Sequence, residues 1–95
     1  MTVTWTELAV RDLAEARSYI ADRNVVAAAS LGRRVLAAVA VLSDFPEAGR
    51  AGRRQGTREL GVAGTPYLLV YRTGQDGVVI LRVLHGHRQW PPGRR

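Results

Sequence analysis

The chain has 95 residues, of which 46% are hydrophobic and 23% charged, and its formal net charge is +6. This length fits one domain over residues 1–95, and the composition is that of a globular protein rather than a disordered chain. The absence of cysteine excludes a disulfide scaffold, a thiolate nucleophile and a zinc site with cysteine ligands. Because no apolar run reaches the ~18 residues of a membrane span and no secretory signal is visible, we expect a cytoplasmic protein that does not enter a membrane.

The positive charge is confined to the second half of the chain. Residues 1–45 hold five arginines and five acidic residues, whereas residues 46–95 hold nine arginines and three acidic residues. The whole excess of positive charge therefore follows residue 45. A distribution of this kind is typical of a face that contacts an anionic partner, which is either nucleic acid or an acidic protein.

The first half predicts a short strand and two helices. Residues 3–5 are β-branched or aromatic and predict a strand. Residues 7–23 carry apolar side chains on one helical face, and Thr6 is suited to cap that helix. A second helix is predicted over residues 25–43, and Asn24 is suited to end the first helix and cap the second. The short link at Asn24 makes the two helices an antiparallel hairpin.

The second half predicts a loop followed by three strands. Residues 47–56 are rich in glycine and arginine and predict a surface loop. Strands are predicted over residues 57–62, 67–72 and 78–84, and the short turns between them make an antiparallel meander. The predicted fold class is therefore α+β, of order β-α-α-β-β-β, with the N-terminal strand and the helical hairpin packed on an antiparallel β-sheet.

Because two helices can cover only one face of this sheet, its other face is expected to leave apolar surface. The strands at residues 67–71 and 78–84 are nearly continuous in apolar residues, so both faces carry them. We expect the uncovered face to require a partner.

Short motifs lie in a fixed order between about residues 5 and 91. They are Asp12-Leu13, Tyr19-Ile20-Ala21, Phe45-Pro46-Glu47, Gly49-Arg50, Gly56-Thr57-Arg58-Glu59-Leu60, Pro66-Tyr67, Val70-Tyr71-Arg72, Ile80-Leu81-Arg82-Val83-Leu84-His85-Gly86, Arg88 and Trp90-Pro91. This set, in this order and spacing, resembles the RelE/ParE superfamily of bacterial toxins from type II toxin–antitoxin modules.

The resemblance implies a small toxin that acts without a cofactor and that a cognate antitoxin neutralises in a toxin–antitoxin hetero-oligomer. RelE-like members cut messenger RNA inside the ribosome, and ParE-like members act on DNA gyrase.

RelE-like enzymes would be expected to hold basic residues at positions 59, 61 and 68, and a tyrosine in the C-terminal segment. This chain has Glu59, Gly61 and Leu68, and no tyrosine follows Tyr71. These departures favour gyrase poisoning without chemistry by the toxin, and leave the mRNA endonuclease and a degenerate toxin that only binds its partner as alternatives.

If the chain is a nuclease, three residues are the candidate catalytic groups: Arg82, His85 and Arg88. A histidine can act as acid or base near neutral pH, and arginines stabilise a transition-state phosphate. The alternative is structural, with His85 packed on Trp90 or a helix, and with Arg72 and Arg82 in salt bridges to Glu59 or Asp76.

Candidate residues for binding the target or the antitoxin are mainly basic. They are Arg50, Arg53, Arg54, Arg58, Arg72, His87 and Trp90. His85 and His87 would face one side of a strand, but two ligands without cysteine are too few, so no metal site is predicted.

Overall fold

Seven elements follow one another in the computed structural model, which describes residues 1–86. The elements are β1 (Val3–Trp5), α1 (Glu7–Ala21), α2 (Val25–Asp44), β2 (Arg50–Ala51), β3 (Arg58–Gly61), β4 (Tyr67–Gly74) and β5 (Gly77–His85). The predicted α+β class and its element order are confirmed. The prediction of an unbroken loop at residues 47–56 is wrong, because β2 lies inside it. A strand of two residues has no periodicity to detect, and it is defined only by its pairing with β3.

The five strands form one sheet in the order β1-β5-β4-β3-β2. The strands β2 to β5 pair antiparallel with their neighbours, as the short turns predict, whereas β1 pairs parallel with β5. Parallel neighbours need a long crossover connection. The helical hairpin and the strands after it carry the chain from β1 back to β5.

Local sequence fixes where each helix begins. The hydroxyl of Thr6 accepts a hydrogen bond from the backbone N–H of Ala9 at 3.0 Å, and the side chain of Asn24 accepts one from that of Ala27 at 3.0 Å. Both residues have extended backbone and satisfy a donor that the first turn leaves free. The predicted caps are therefore confirmed.

The main core lies between the helices and one face of the sheet. Its buried side chains include Leu31, Val35, Leu42, Leu69, Tyr71, Val78 and Ile80. The Tyr71 hydroxyl also makes two hydrogen bonds. It donates to Pro46 O and accepts from the N–H of Gly49, both at 2.8 Å. A Cβ at position 49 would lie 2.6 Å from that hydroxyl oxygen, so this approach requires glycine. Tyr71 thereby fixes the segment that enters β2.

The opposite face of the sheet has a small core of its own. Leu68, Val70 and Leu84 are buried there and pack with Leu81. Leu81 is the extra residue of a β-bulge, because Val70 pairs with Arg82 while Tyr71 pairs with Ile80. The expectation of exposed apolar surface on this face is therefore wrong for Leu68, Val70 and Leu84, whereas Leu81 is only half-buried. The large apolar residues that are exposed lie mostly on the helices: Leu8, Val10, Tyr19, Val25, Val26, Leu36 and Val41, with Phe45 directly after α2.

By length and composition, α2 could cross a membrane, contrary to the expectation that no segment qualifies. The helix has 20 residues, but its buried side chains form a line that packs into the main core, and Arg33 and Arg34 lie at its middle. A core helix of a globular domain can meet the same criterion by length and composition, and one face of α2 packs into the main core.

Candidate functional site

Arg82 is held by an acidic residue of α1. Its Nε donates to Asp12 Oδ2 at 2.7 Å and its Nη2 donates to Oδ1 at 3.0 Å, in the two-point geometry typical of arginine and carboxylate. Arg82 is only 7% exposed, and the hydrogen bonds that it donates to Asp12 raise its pKa above the ordinary value. The expected salt bridge of Arg82 to Glu59 or Asp76 is therefore wrong. The charge of Arg82 is balanced by Asp12.

Glu59 forms the second buried ionic contact. Its Oε2 accepts from the backbone N–H of Arg53 at 3.0 Å and from Arg53 Nε at 3.1 Å, while Oε1 accepts from Arg50 Nη2 at 3.4 Å. Burial alone would raise the pKa of this carboxyl, but the hydrogen bonds and positive charge of Arg53, with the bond from Arg50, lower it below the ordinary value. Glu59 therefore organises the loop between β2 and β3.

The predicted group of four arginines around this loop is mostly engaged within the chain. Arg50 and Arg53 bind Glu59, and Arg58 Nη1 donates to Gly49 O at 2.8 Å. The guanidinium of Arg54 makes no hydrogen bond or ion pair within residues 1–86, and the same holds for Arg72 on β4. Of the binding candidates in the described chain, Arg54 and Arg72 are thus the two whose guanidinium groups have neither a hydrogen bond nor an ion pair within residues 1–86.

The positions at which RelE-like enzymes would be expected to carry basic residues come together on the sheet. Gly61 and Leu68 are directly paired across β3 and β4, and with Glu59 they line a cavity of about 280 Å³. Glu59 and Leu68 are buried, and Arg50, which also lines this cavity, is bound to Glu59. The residues up to Gly86 that line this cavity therefore offer no unpaired base or cation for cleavage of a phosphodiester.

His85 lies at the end of β5, half-buried beside Tyr67. The two ring centroids are 5.6 Å apart in an edge-to-face arrangement, and both residues line a cavity of about 210 Å³ with Asp12 and Glu15. The expected contact of His85 with Trp90 falls outside the described residues, as do His87 and Arg88. No group of three or more metal-ligating side chains is found in the part of the chain up to Gly86.

A wider groove, which we call the arginine groove, runs across the sheet between the start of α1 and the loop before β3. It has a volume of about 540 Å³, and its lining includes Leu8, Arg54, Arg72, Leu81 and Arg82. The sequence predicts each of the three arginines as a candidate binding or catalytic residue, but it does not predict that they share one groove. It also does not indicate Leu8 and Leu81 as groove residues, or Asp12 as the partner of Arg82. A signal for Asp12 was present, because it is an acidic residue near the apolar face of an amphipathic helix.

Comparison with known proteins gives a consistent result. Residues 3–90 match the family of the ParE toxin of the type II toxin–antitoxin system parDE. The chain is 44% identical over 89 residues to the toxin-like protein Y4kP of Sinorhizobium fredii, which covers 94% of this chain and 92% of that protein. It is 35% identical over 86 residues to toxin RelE2 of Caulobacter vibrioides, which covers 90% and 96%.

Among solved structures, one similar chain comes from the chromosomal ParDE toxin–antitoxin system of P. aeruginosa. The TM-score is 0.80, over 90% of this chain and 95% of that chain, at 23% sequence identity. This likeness concerns the fold, and it agrees with the β-α-α-β order and the five-stranded sheet described above.

Proposed function

Because the chain belongs to the ParE toxin family of type II toxin–antitoxin systems, we propose that it inhibits growth by binding DNA gyrase through protein contacts and that a cognate antitoxin neutralises it. Membership in the family makes the chain a type II toxin. Its target and the absence of chemistry by the toxin itself are the proposal.

The observation that carries the proposal is the cavity at Glu59, Gly61 and Leu68. Cleavage of RNA needs a base for the ribose 2′-hydroxyl and cations that face the phosphate. Here the acidic residue is held by Arg50 and Arg53, and the other two positions carry no functional group. A toxin that poisons an enzyme by binding needs none of these groups.

Two surface properties support an antitoxin as the neutralising partner. Large apolar residues of the helices, among them Val26 and Leu36, are exposed, and exposed apolar patches mark interaction sites. The net positive charge of the second half would also attract an acidic protein and speed its association.

The alternative function is ribosome-dependent cleavage of messenger RNA. It is favoured by the 35% identity to toxin RelE2 and by the placement of His85, which lines a cavity with Asp12 and Glu15. In this alternative His85 is the acid or base, with Arg88 as the phosphate ligand.

The two functions are separated by testing the purified chain on both targets. We expect it to inhibit supercoiling by gyrase and to increase gyrase-linked DNA breaks, and to leave messenger RNA on translating ribosomes uncut. Preincubation with the antitoxin encoded beside the toxin should abolish the effect and serves as the control. Cleavage of ribosome-bound mRNA without an effect on gyrase would establish the alternative, and inactivity on both would indicate a degenerate toxin.

A further inference from the structure

The arginine groove has a composition that the packing of the fold does not explain. It lies across β4 and β5, on the side of the sheet where Leu81 packs with the second core. None of the residues that line it within residues 1–86 is acidic. The charge of Arg82 is balanced by Asp12, but Arg54 and Arg72 have no ionic partner within residues 1–86. Two unpaired guanidinium groups therefore converge on one concave surface.

The loop that carries Arg54 is held in place before any ligand binds. Glu59 accepts two hydrogen bonds from Arg53, the residue next to Arg54. The loop is also closed by backbone hydrogen bonds from Gly52 N–H to Thr57 O at 2.7 Å and from Thr57 N–H to Arg54 O at 3.1 Å. A preorganised loop loses less conformational entropy on binding, which is the property of a built site.

Apolar side chains stand beside these cations. Leu8 is 44% exposed at the start of α1, and Leu81 is half-buried at the bulge of β5. A small inorganic anion would leave both leucines in water. A ligand that combines carboxylates with an aliphatic side chain would neutralise the arginines and cover the leucines together.

The lining of the groove also distinguishes a peptide from a nucleic acid. Surfaces that bind single-stranded nucleic acid combine positive charge with aromatic side chains on which bases stack. None of the residues that line the arginine groove within the described chain is aromatic. Charge without a stacking platform favours an acidic peptide.

We propose that the arginine groove binds an acidic peptide segment of a partner protein, with carboxylates on Arg54 and Arg72 and an aliphatic side chain against Leu8 and Leu81. The inference requires neither gyrase nor RNA as the target, and it stands or falls separately from the function proposed above.

The test is fluorescence anisotropy with the full chain and a fluorescein-labelled peptide of alternating glutamate and leucine. The double variant Arg54→Gln/Arg72→Gln should weaken binding by at least about tenfold, because each arginine loses a charge-assisted hydrogen bond. The matched control Arg11→Gln/Arg33→Gln removes the same charge from exposed helix positions outside the groove. It should change binding by no more than about twofold if only long-range attraction is lost.

Two further probes examine the chemistry of the ligand. The same peptide with glutamine in place of glutamate should bind at least about tenfold more weakly. The variant Leu8→Ser should bind the acidic peptide more weakly than the wild type, with little effect on folding. Chemical-shift mapping on the wild-type chain should place the peptide at the amides of Gln55 and Leu81, independently of whether a variant folds. Equal loss in the control variant, equal binding of the glutamine peptide, tighter binding of an oligouridylate at these residues, or shifts elsewhere would each overturn the proposal.

Discussion

At the scale of single residues, two buried carboxylates decide how the arginines of this chain are used. Asp12 forms an ion pair with Arg82, and Glu59 forms ion pairs with Arg50 and Arg53. Breaking a buried ion pair is costly, since the remaining charge keeps its desolvation penalty without its partner. Replacing Arg50 and Arg53 to probe partner binding would therefore also disturb the fold, whereas Arg54 and Arg72 can be changed without that effect.

We expect Asp12→Ala to lower the free energy of unfolding by about 3–5 kcal/mol, the usual range for removing one member of a buried pair. The change removes the acceptor of both Arg82 and the backbone N–H of Val83, which donates to Asp12 at 3.0 Å. Urea denaturation measures the loss. Ser18→Ala, at an exposed position of the same helix, is the control and should stay within about 0.5 kcal/mol of the wild type. A similar loss in both variants would show that the pair contributes nothing specific.

Glu59 gives a prediction about acid stability. Its pKa is lowered in the folded chain, so the unfolded chain binds a proton first and the contribution to stability is lost as the pH falls below about 4.3. We expect Glu59→Gln to be less stable than the wild type at neutral pH. The difference should shrink as the pH falls below about 4.3, because the unfolded wild-type chain then takes up a proton that the folded chain still resists. Thermal melts of both proteins across this range measure the difference. A gap that stays constant with pH would contradict the lowered pKa.

At the scale of elements, α1 completes the edge of the sheet that β1 leaves open. The strand β1 pairs with β5 only as far as Ile80. Beyond it, the hydroxyl of Thr6 donates to Leu81 O at 3.0 Å, and Asp12 accepts from the N–H of Val83. Side chains of a helix thus take over the hydrogen bonds of a missing strand, which protects the edge of β5 from pairing with another chain.

The hydroxyl of Thr6 is expected to matter twice, as the N-cap of α1 and as the donor to Leu81. We predict that Thr6→Ala lowers the free energy of unfolding by about 1–2 kcal/mol, the upper part of the range for losing a cap. The control is Thr4→Ala, at an exposed position of β1 whose hydroxyl makes one long contact of 3.5 Å. Chemical denaturation measures the free energy of unfolding of both variants. An equal loss of this free energy in the two variants would show that the cap and the edge contact are unimportant.

At the scale of the whole molecule, exposed apolar residues lie mainly on the helices, and Leu8 among them also lines the arginine groove beside Arg54 and Arg72. A surface that combines exposed apolar and basic residues suits contacts with a partner protein. An interface of this kind loses activity in graded steps, whereas a catalytic residue is lost all at once.

His85→Ala is the variant that separates an interface from a catalyst. We expect it to retain most of its toxicity on induction in cells, measured as surviving colonies, because the proposed function assigns no chemistry to His85. Binding of the cognate antitoxin serves as the check that the variant folds. Complete loss of toxicity with intact antitoxin binding, together with loss of a wild-type cleavage of ribosome-bound mRNA, would show that the chain is a nuclease.

The sequence by itself determined the helices, their caps and the order of elements. Thr6 and Asn24 act on donors three residues away, and the apolar period of a helix or a long strand is visible within one segment. The short motifs likewise indicated the family, since their order and spacing are properties of the chain and not of its packing.

Only the tertiary structure decided the partners of the charged residues and the shape of the sites. Asp12 and Arg82 are 70 residues apart in the chain, and the parallel pairing of β1 with β5 brings them together. The groove joins Leu8 to Arg54 and Leu81 for the same reason. Contacts of this range follow from how the sheet and helices pack against one another, and no local pattern encodes which of several arginines a given carboxylate will meet.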